Sequence, residues 1–417
     1  MNRQLFRNAR IFTPVDPGRP LAGKEQGSVA SLEPGALWCR DGRIDWVGHE
    51  RDLHGALAGE VEEVDCEGRC MIPGFVDPHT HMCFARTREA EFLRRLEGAE
   101  YLDILREGGG ILSSVAAVRA ASEEELFEAT RARALTALQF GTTTLEIKSG
   151  YGLSTEAELK QLRVIARVGR ETPLDVVPTF MGAHAIPAEH AQAPGRYVDL
   201  LVGEMIPAVA RAGLARFCDV FCERGVFSVE QARRILEAAA AVGMKLKVHA
   251  DEVHDTGGAG LAASLGAVSA EHLLASSRAN VAAMAAAGVI GVLLPATAYS
   301  LRKPYAPARD MIGLGLPLAI ATDCNPGSSF TESVPFAFGL AVMAMGMSVK
   351  EALVASTLNA AYAIGRGAEA GSLDRGKRAD FLLLDGETPG ILAYHAGVSP
   401  VVEVYKAGVM VWPENNP

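Results

Sequence analysis

Two histidines follow an apolar run at a spacing that suits a shared metal ion. The stretch GFVDPHTHMCF, residues 74–84, places His79 and His81 two positions apart. Alternate residues of a β-strand point to the same side, so both imidazoles can face one point. Imidazole nitrogens are common ligands of zinc and related divalent ions. The pair raises the hypothesis of a metal site, against the alternative of two polar residues in a turn.

Two further candidate ligands follow apolar segments elsewhere in the chain. His249 ends the segment KLKVH, and Asp323 follows the segment LAIAT. Three imidazoles and one carboxylate suit Zn²⁺ or another borderline divalent ion, and they leave a coordination position for water. A metal ion with such an open position polarises a carbonyl and lowers the pKa of its water to about 7. The set therefore predicts a hydrolytic metal centre.

Hydrolysis also needs a group that moves a proton from water to the leaving atom. Glu252, three residues after His249, is the best candidate base, although an acid at a helix start is often only solvated. Asp323 can share this catalytic work. His272 follows another apolar segment, and whether it ligates the metal, orients a neighbour or stabilises developing charge stays open. The fourth predicted strand ends FCERG, without the lysine that bridges two metals in many barrel hydrolases, so one metal ion is expected.

The elements that must position these residues alternate between short apolar strands and longer helical stretches, which is typical of parallel βα units. The predicted strands are Met71–Val76, Thr142–Ile147, Asp175–Phe180, Phe217–Phe221, Lys245–Val248, Ala267–Ala270, Val289–Leu294 and Leu318–Ala321. Eight such units in about 250 residues predict an α/β fold, a (β/α)8 barrel of the TIM type, whose active sites lie at the carboxyl ends of the strands. The candidate ligands follow different strands, so they meet only if the barrel closes.

The two ends of the chain have a different pattern. Residues 1–71 and 366–417 show short alternating segments broken by glycine and proline, which indicates antiparallel sheet. Neither end has a large core of its own, so we expect the two to combine into one small β-sandwich domain. The predicted catalytic barrel then spans residues 72–365.

Composition narrows the class of protein. The chain has 417 residues, is 49% hydrophobic and carries a formal net charge of −10, which disfavours nucleic-acid and anionic-membrane partners. An anionic substrate would therefore need a local cation. The seven cysteines are odd in number and scattered, so we expect buried free thiols rather than disulfides. The apolar stretch Pro335–Met347 is too short to span a bilayer, and the start has no apolar signal-peptide core, so a cytoplasmic location is expected.

Six segments spread from about residue 72 to 380 resemble the imidazolonepropionases, a family of the amidohydrolase superfamily. They are REGGGILSSVAAVRAAS, TLEIKSGYGL, PTFMGAHAIP, KVHADE, ATDCNPGSS and TLNAAYAIG, beside the PGFVDPHTH motif. The resemblance implies that water opens the ring of 4-imidazolone-5-propanoate to give N-formimidoyl-L-glutamate, a step of histidine degradation. It also implies one zinc or iron ion held by His79, His81, His249 and Asp323.

The resemblance further implies a set of substrate contacts. Arg88, Tyr151 and His184 would hold the substrate, chiefly its propionate. The ring or product would meet Glu252, Asn325, Gly327 and Ser328, with Tyr101 as a further contact. Where family members have Ala-Gly-Asp-Arg this chain reads ARTR, so Arg86 is a rival to Arg88. Backbone N–H groups of the loop NPGSS, residues 325–329, are expected to be able to cradle an anion, and a homodimer is expected.

Two other functions share the predicted fold. A deaminase of a purine, pyrimidine or related heterocycle would use the same barrel, metal and water, but it would release ammonia. A barrel that has lost its metal and serves only in assembly is the second alternative, and the complete ligand set speaks against it.

Overall fold

The computed structural model of the protein describes residues 3–53, 61–98 and 109–413. Tyr101, one of the predicted substrate contacts, lies outside the described residues. Within the described ranges the strands are, in chain order, β1 Arg3–Pro14, β2 Val29–Arg40, β3 Arg43–His49, β4 Glu62–Asp65, β5 Cys70–Pro73, β6 Phe75–Asp77, β7 Thr142–Lys148, β8 Asp175–Ala183, β9 Phe217–Cys222, β10 Lys245–Ala250, β11 Ser269–His272, β12 Ile290–Leu293, β13 Leu318–Ile320, β14 Phe381–Leu384, β15 Val401–Lys406 and β16 Val409–Trp412.

Helices connect the strands of the central part and cover them on the outside. In the same ranges the α-helices are α1 Glu89–Leu96, α2 Ile111–Ala120, α3 Glu123–Gln139, α4 Thr155–Glu171, α5 Pro194–Leu200, α6 Ile206–Ala212, α7 Val229–Ala241, α8 Gly258–Leu265, α9 Arg278–Ala287, α10 Pro295–Ser300, α11 Ala308–Gly313, α12 Val334–Met343, α13 Val349–Ser356, α14 Leu358–Ala363 and α15 Ile391–Tyr394. Ser122 and Ser228 begin α3 and α7 with capping boxes, in which side chain and backbone at the helix start satisfy each other.

Strands β6 to β13 pair in parallel and in chain order, which makes the predicted barrel. The ring is completed just beyond the strand ends, where the Asp323 N–H donates to the His79 carbonyl at 3.1 Å and the His81 N–H donates to the Cys324 carbonyl at 2.9 Å. These backbone hydrogen bonds join the segment after β6 to the segment after β13, and the candidate ligands His79, His81 and Asp323 take part in them. The predicted fold class is confirmed, and each of the eight predicted strands overlaps a strand of the barrel.

The ends of the chain form a second sheet, in the order β16-β15-β14-β5-β1-β2-β3, with β4 paired to β1. Phe6 from the beginning of the chain packs against Phe381 and Tyr405 from its end, with ring centroids 4.7 and 5.0 Å apart. Neither end supplies this core alone. The boundaries at residues 71/72 and 365/366 stay predictions.

The predicted strand Met71–Val76 is wrong in one respect, because it is divided between the two sheets. β5 pairs with β1 and β14, whereas β6 pairs with β7 of the barrel. Gly74 stands between them, and a Cβ at that position would lie 2.3 Å from Oγ1 of Thr143. A glycine is needed here because the neighbouring strand passes too close for any side chain.

Two expectations from composition are tested by the fold. Each of the seven cysteines is a buried free thiol, as predicted. Among the residues that the structure describes, no helix has the length and apolar character to cross a membrane.

Candidate metal centre and active site

Four predicted ligands meet at the carboxyl ends of barrel strands. Nε2 of His81 lies 3.2 Å from Nε2 of His79 and 3.1 Å from Nε2 of His249. Oδ1 of Asp323 lies 3.5 Å from Nε2 of His79 and 3.6 Å from Nε2 of His81. Residues from β6, β10 and β13 are therefore brought together, as barrel closure requires.

The spacing and environment of these atoms fit one metal ion. Nitrogen ligands at about 2.0–2.1 Å from a tetrahedral Zn²⁺ lie about 3.4 Å from one another, close to the observed distances. All four side chains are buried. Burial, with neighbouring cationic groups, holds the pKa of His79 and His81 well below the ordinary value, so both rings are neutral and can offer a lone pair.

Asp323 is held so that one oxygen faces the histidines. The hydroxyl of Thr297 donates to Oδ2 at 2.6 Å, which leaves Oδ1 toward the imidazoles. Burial raises the pKa of Asp323 well above its ordinary value. The residue also has a φ of 53°, in the left-handed region that residues other than glycine seldom adopt. Such strain is concentrated at functional sites, where the surrounding structure enforces it.

Glu252 and His272 lie together at one edge of the ligand cluster. Oε2 of Glu252 is 3.6 Å from Nε2 of His272, and the Glu252 side chain is 18% exposed. Burial raises the pKa of Glu252 to about 7, although His249 acts to lower it. His272 offers a nitrogen within 4.8 Å of ligand atoms of His79 and His249, so its alternative role as a ligand stays open. A carboxyl group that titrates near neutral pH is suited to accept and return a proton.

The loop that carries Glu252 is fixed by two other buried acids. Asp251 accepts hydrogen bonds from the N–H groups of Gly258 and Ala259 at 3.0 and 3.2 Å. Glu223, at the end of β9, accepts from the N–H groups of Val253 and His254 at 2.9 and 3.2 Å, and from the His254 ring. The carboxylates of these two acids accept hydrogen bonds from backbone N–H groups of the loop and so fix its shape. Glu252 is left to face the site.

Tyr151 and His184 follow β7 and β8, and both rings lie beside the candidate ligand His81. The His184 ring stacks on His81, with centroids 4.8 Å apart and 24° between the planes. Its Nδ1–H donates to the Gly150 carbonyl at 3.1 Å. Burial lowers the pKa of His184 to about 3, so the ring is neutral and its other nitrogen can accept a hydrogen bond. Tyr151 stands 5.2 Å from His184 between ring centroids.

Arg88 contacts the loop of residues 325–329, whereas its rival Arg86 is exposed. A Cβ at Gly327 would lie 2.6 Å from Nη1 of Arg88, so the guanidinium rests directly on that glycine. Nε and Nη2 of Arg88 donate to Glu91 at 3.0 and 2.6 Å. Both Arg88 and Gly327 line a cavity of about 350 Å³.

The expectation that N–H groups of this loop cradle an anion is not met. The N–H groups of Gly327 and Ser328 donate to Oδ1 of Asn325 at 2.8 and 2.7 Å. The Asn325 amide in turn donates to the Asp323 carbonyl at 2.7 Å. Asparagine side chains commonly replace a backbone acceptor in such turns. Asn325 therefore shapes the loop and ties it to a candidate ligand.

Sequence reasoning assigned no role to several residues that the structure places at the site. Nη2 of Arg95 donates to the Gly327 carbonyl at 2.9 Å. Lys148 and Asp219 lie next to His249 inside the barrel, with Nζ of Lys148 2.9 Å from Oδ2 of Asp219. A signal existed for Asp219, because a charged residue within the apolar strand FCDVFC needs a buried partner.

Comparisons with known proteins identify a family whose members are hydrolases, in agreement with the hydrolytic site described above. The family model described as "Amidohydrolase family" matches residues 70–411. An imidazolonepropionase of Syntrophobacter fumaroxidans is 69% identical over 408 residues, which are 97% of this chain and 96% of that protein. An imidazolonepropionase of Desulfotalea psychrophila is 62% identical over 413 residues, which are 99% of this chain and 100% of that protein.

Solved structures of lower identity share the fold. The guanine deaminase of E. coli aligns with a TM-score of 0.74 at 14% identity, over 99% of each chain. An adenosine deaminase from Xanthomonas campestris, solved with bound zinc, aligns with a TM-score of 0.71 at 20% identity, over 98% of this chain and 92% of that one. At these identities the likeness concerns the fold alone.

Proposed function

This chain belongs to the amidohydrolase family, and from that premise we propose that it hydrolyses the cyclic amide of 4-imidazolone-5-propanoate. The product is N-formimidoyl-L-glutamate, an intermediate of histidine degradation. Named imidazolonepropionases that are between 46% and 69% identical over nearly the whole chain support the substrate. The observation that carries the chemistry is the meeting of three imidazoles and one carboxylate beside Glu252.

One zinc or iron ion per subunit is part of the proposal. The residues that would hold it are His79, His81, His249 and Asp323, which are buried. Nε2 of His81 lies 3.2 Å from that of His79 and 3.1 Å from that of His249, and Oδ1 of Asp323 lies 3.5 and 3.6 Å from His79 and His81. When bound, such an ion supplies Lewis acidity, which polarises the amide carbonyl and lowers the pKa of water. Neutral imidazoles and a carboxylate accept either metal.

Glu252 moves the proton in the proposed reaction. Its carboxylate accepts a proton from the water whose oxygen bonds to the ring carbonyl carbon, and it returns that proton to the ring nitrogen as the C–N bond breaks. Asp323 shares the catalytic site, with Oδ1 toward the histidines. His272, whose pKa is held well below its ordinary value by burial, is a neutral group that can donate one hydrogen bond to developing negative charge.

Arg88 is the cation that the proposal assigns to the propionate. A planar guanidinium binds a carboxylate through two parallel hydrogen bonds, and Glu91 already holds this one in place. His184 is neutral, so it and Tyr151 would contact the substrate as hydrogen-bonding rings rather than as charges. Asn325, Gly327 and Ser328 would line the site from the last loop, and Tyr101 stays a predicted contact.

The test is a direct assay of ring opening. Metal-replete protein is mixed with 4-imidazolone-5-propanoate, and the ultraviolet absorbance of the ring and the ammonia concentration are followed together. We expect the absorbance to decay without ammonia, because the nitrogen of the cleaved amide bond stays in the formimidoyl group of the product. A deaminase would instead release ammonia from an amino-substituted purine or pyrimidine supplied in a parallel assay, and a stable absorbance of 4-imidazolone-5-propanoate with metal-replete protein would contradict the proposal.

A homodimer and a cytoplasmic location are further parts of the proposal. Phe336 and Met343 of α12 are exposed, and Phe336 packs against the exposed Tyr299 at 5.3 Å between ring centroids. Exposed apolar patches often mark association surfaces. Light scattering that returns twice the mass of the chain would support the dimer, and the mass of one chain would contradict it. Seven buried free thiols suit a reducing compartment.

A further inference from the structure

His249 differs from the other two candidate ligand histidines in how its ring is held. Its Nδ1 lies 3.0 Å from Oδ1 of Asp219, and its backbone N–H donates to the same oxygen at 3.2 Å. For Nδ1 of His79 and of His81, both buried, no hydrogen-bond partner is found among the residues that the structure describes. Within that part of the chain, His249 is therefore the ligand whose orientation is set by a carboxylate.

Asp219 is itself held by a buried cation. Nζ of Lys148 lies 2.9 Å from Oδ2 of Asp219 and 2.7 Å from Oε1 of Glu146, and all three side chains are inaccessible to solvent. The positive charge of Lys148 beside Oδ2 and the backbone N–H of His249 on Oδ1 both favour the ionised form of Asp219. An ionised carboxylate can only accept hydrogen bonds. Nδ1 of His249 must then carry the hydrogen, which leaves the lone pair on Nε2.

We propose that Asp219, paired with Lys148, is a positioning residue that fixes the tautomer of His249 in which Nε2 presents its lone pair to the metal ion. The inference rests on the proposed function, because it takes His249 as a ligand. A carboxylate behind a ligating histidine sets ring orientation and tautomer in metal sites generally. Here the positive charge of Lys148 also fixes the orientation of the residue 219 side chain, because it attracts a side-chain oxygen of that residue.

The variant Asp219→Asn separates this role from simple packing, because the side chain keeps its size. The full charge of Lys148 outweighs the backbone N–H of His249 in attracting the amide oxygen, so the amide N–H₂ faces His249 and donates to Nδ1. The ring then carries its hydrogen on Nε2, where it blocks metal binding. We expect the dissociation constant for Zn²⁺ to rise 10- to 100-fold, the usual effect of removing such a partner.

The measurement uses the metal-stripped full-length chain. The dissociation constant for Zn²⁺ is obtained by competition with a chelator, and the tautomer of His249 is read from NMR spectra of the ¹⁵N-histidine-labelled protein. Asp16→Asn is the matched control, since Asp16 is also ion-paired with a buried lysine, Lys377, at 2.6 Å and lies away from the site. It should bind Zn²⁺ as the wild type does.

A second variant covers the case in which Asp219→Asn does not fold. Lys148→Met combined with Asp219→Leu removes the whole ion pair, so Nδ1 of His249 has no acceptor on residue 219 and no lysine charge is left facing it. Zn²⁺ affinity within twofold of wild type in either folded variant would overturn the inference, as would an unchanged His249 tautomer. His249→Ala separates the two proposals. If His249→Ala binds Zn²⁺ as tightly as wild type, the assignment of His249 as a ligand fails. If His249→Ala loses Zn²⁺ but the residue 219 variants retain it, only the role of Asp219 fails.

Discussion

At the scale of single residues, the site consists of groups whose protonation is set by burial. His184 and the candidate ligands His79 and His81 are kept neutral, whereas the pKa of Glu252 is raised to about 7. Neutral rings can bind a metal or accept a hydrogen bond, and a carboxyl group near pH 7 can exchange a proton. Burial therefore suits the histidines to act as neutral ligands and suits Glu252 to act as the base.

Replacing Glu252 tests the assigned base. We expect Glu252→Gln to lower kcat by about 10²- to 10⁴-fold, the usual contribution of a positioned acid–base group, while the metal content stays normal. In the wild type, activity should fall as the pH drops through the pKa of Glu252, because only the carboxylate accepts a proton. That midpoint is expected at or below about 7, since a bound cation favours the ionised form. The same acid limb in the variant would assign it to another group.

Arg88 and Arg86 can be distinguished by matched substitutions. Arg88→Met should raise KM about 10- to 100-fold, since a hydrogen bond to a charged group contributes about 1.5–3 kcal/mol. Arg86→Met should leave KM near the wild-type value because Arg86 is exposed. Steady-state kinetics with 4-imidazolone-5-propanoate gives both values. A larger effect at Arg86 would move the carboxylate contact to that residue.

At the scale of elements, the passage from the small sheet to the barrel depends on one glycine. β5 ends at Pro73 and β6 begins at Phe75, so Gly74 alone connects two sheets of different type. The candidate ligands begin only a few residues later, which means that the position of β6 sets the position of the metal centre. A displacement of this short strand is transmitted to His79 and His81.

Gly74→Ala is expected to destabilise the fold. Its Cβ would lie 2.3 Å from Oγ1 and 2.5 Å from Cγ2 of Thr143, so one strand must move. Overpacking of this kind costs about 1–3 kcal/mol in the free energy of unfolding, measurable by urea denaturation. Adding Thr143→Ala removes both atoms and should recover part of the loss. Gly195→Ala, where nothing lies within 4 Å, is the control, and an equal effect there would contradict the steric explanation.

At the scale of the whole molecule, the small domain and the barrel are joined by a buried ionic network. Nζ of Lys406 on β15 lies 2.6 Å from Asp380 and 2.8 Å from Asp175 at the start of β8. It also donates to the Thr143 carbonyl at 3.1 Å. Lys406 thus connects the end of the chain to two neighbouring barrel strands, on the side of the barrel away from the metal centre.

Removing the cation at the centre of this network should weaken the whole fold. Lys406→Met leaves two carboxylates short of a partner, which costs about 3 kcal/mol, at the low end for a broken buried pair because Arg378 remains 2.8 Å from Asp175. The exposed pair of Arg278 and Asp310 is the comparison, and Arg278→Met should cost about 0–1 kcal/mol. Thermal or urea unfolding measures both. Equal losses would show that the network contributes no more than a surface pair.

The sequence by itself determined the fold class, the eight barrel strands and the four candidate ligands. The strands could be predicted because apolar periodicity is a property of neighbouring residues. In a barrel the carboxyl ends of all strands lie on one face, so His249 and Asp323 could be assigned to one site because each follows a strand. The same local reading could not divide Met71–Val76 between two sheets, because the break at Gly74 comes from the approach of Thr143 on another strand.

Only the tertiary structure decided which polar groups are partners. Asp219 and His249 lie on different strands, and their contact depends on the register of β9 against β10. The N–H groups of Gly327 and Ser328 donate to Asn325, and Arg95 on α1 donates to the Gly327 carbonyl in the loop after β13. A hydrogen bond or ion pair depends on distances below about 4 Å, and such distances between remote segments are set by how the strands and loops pack.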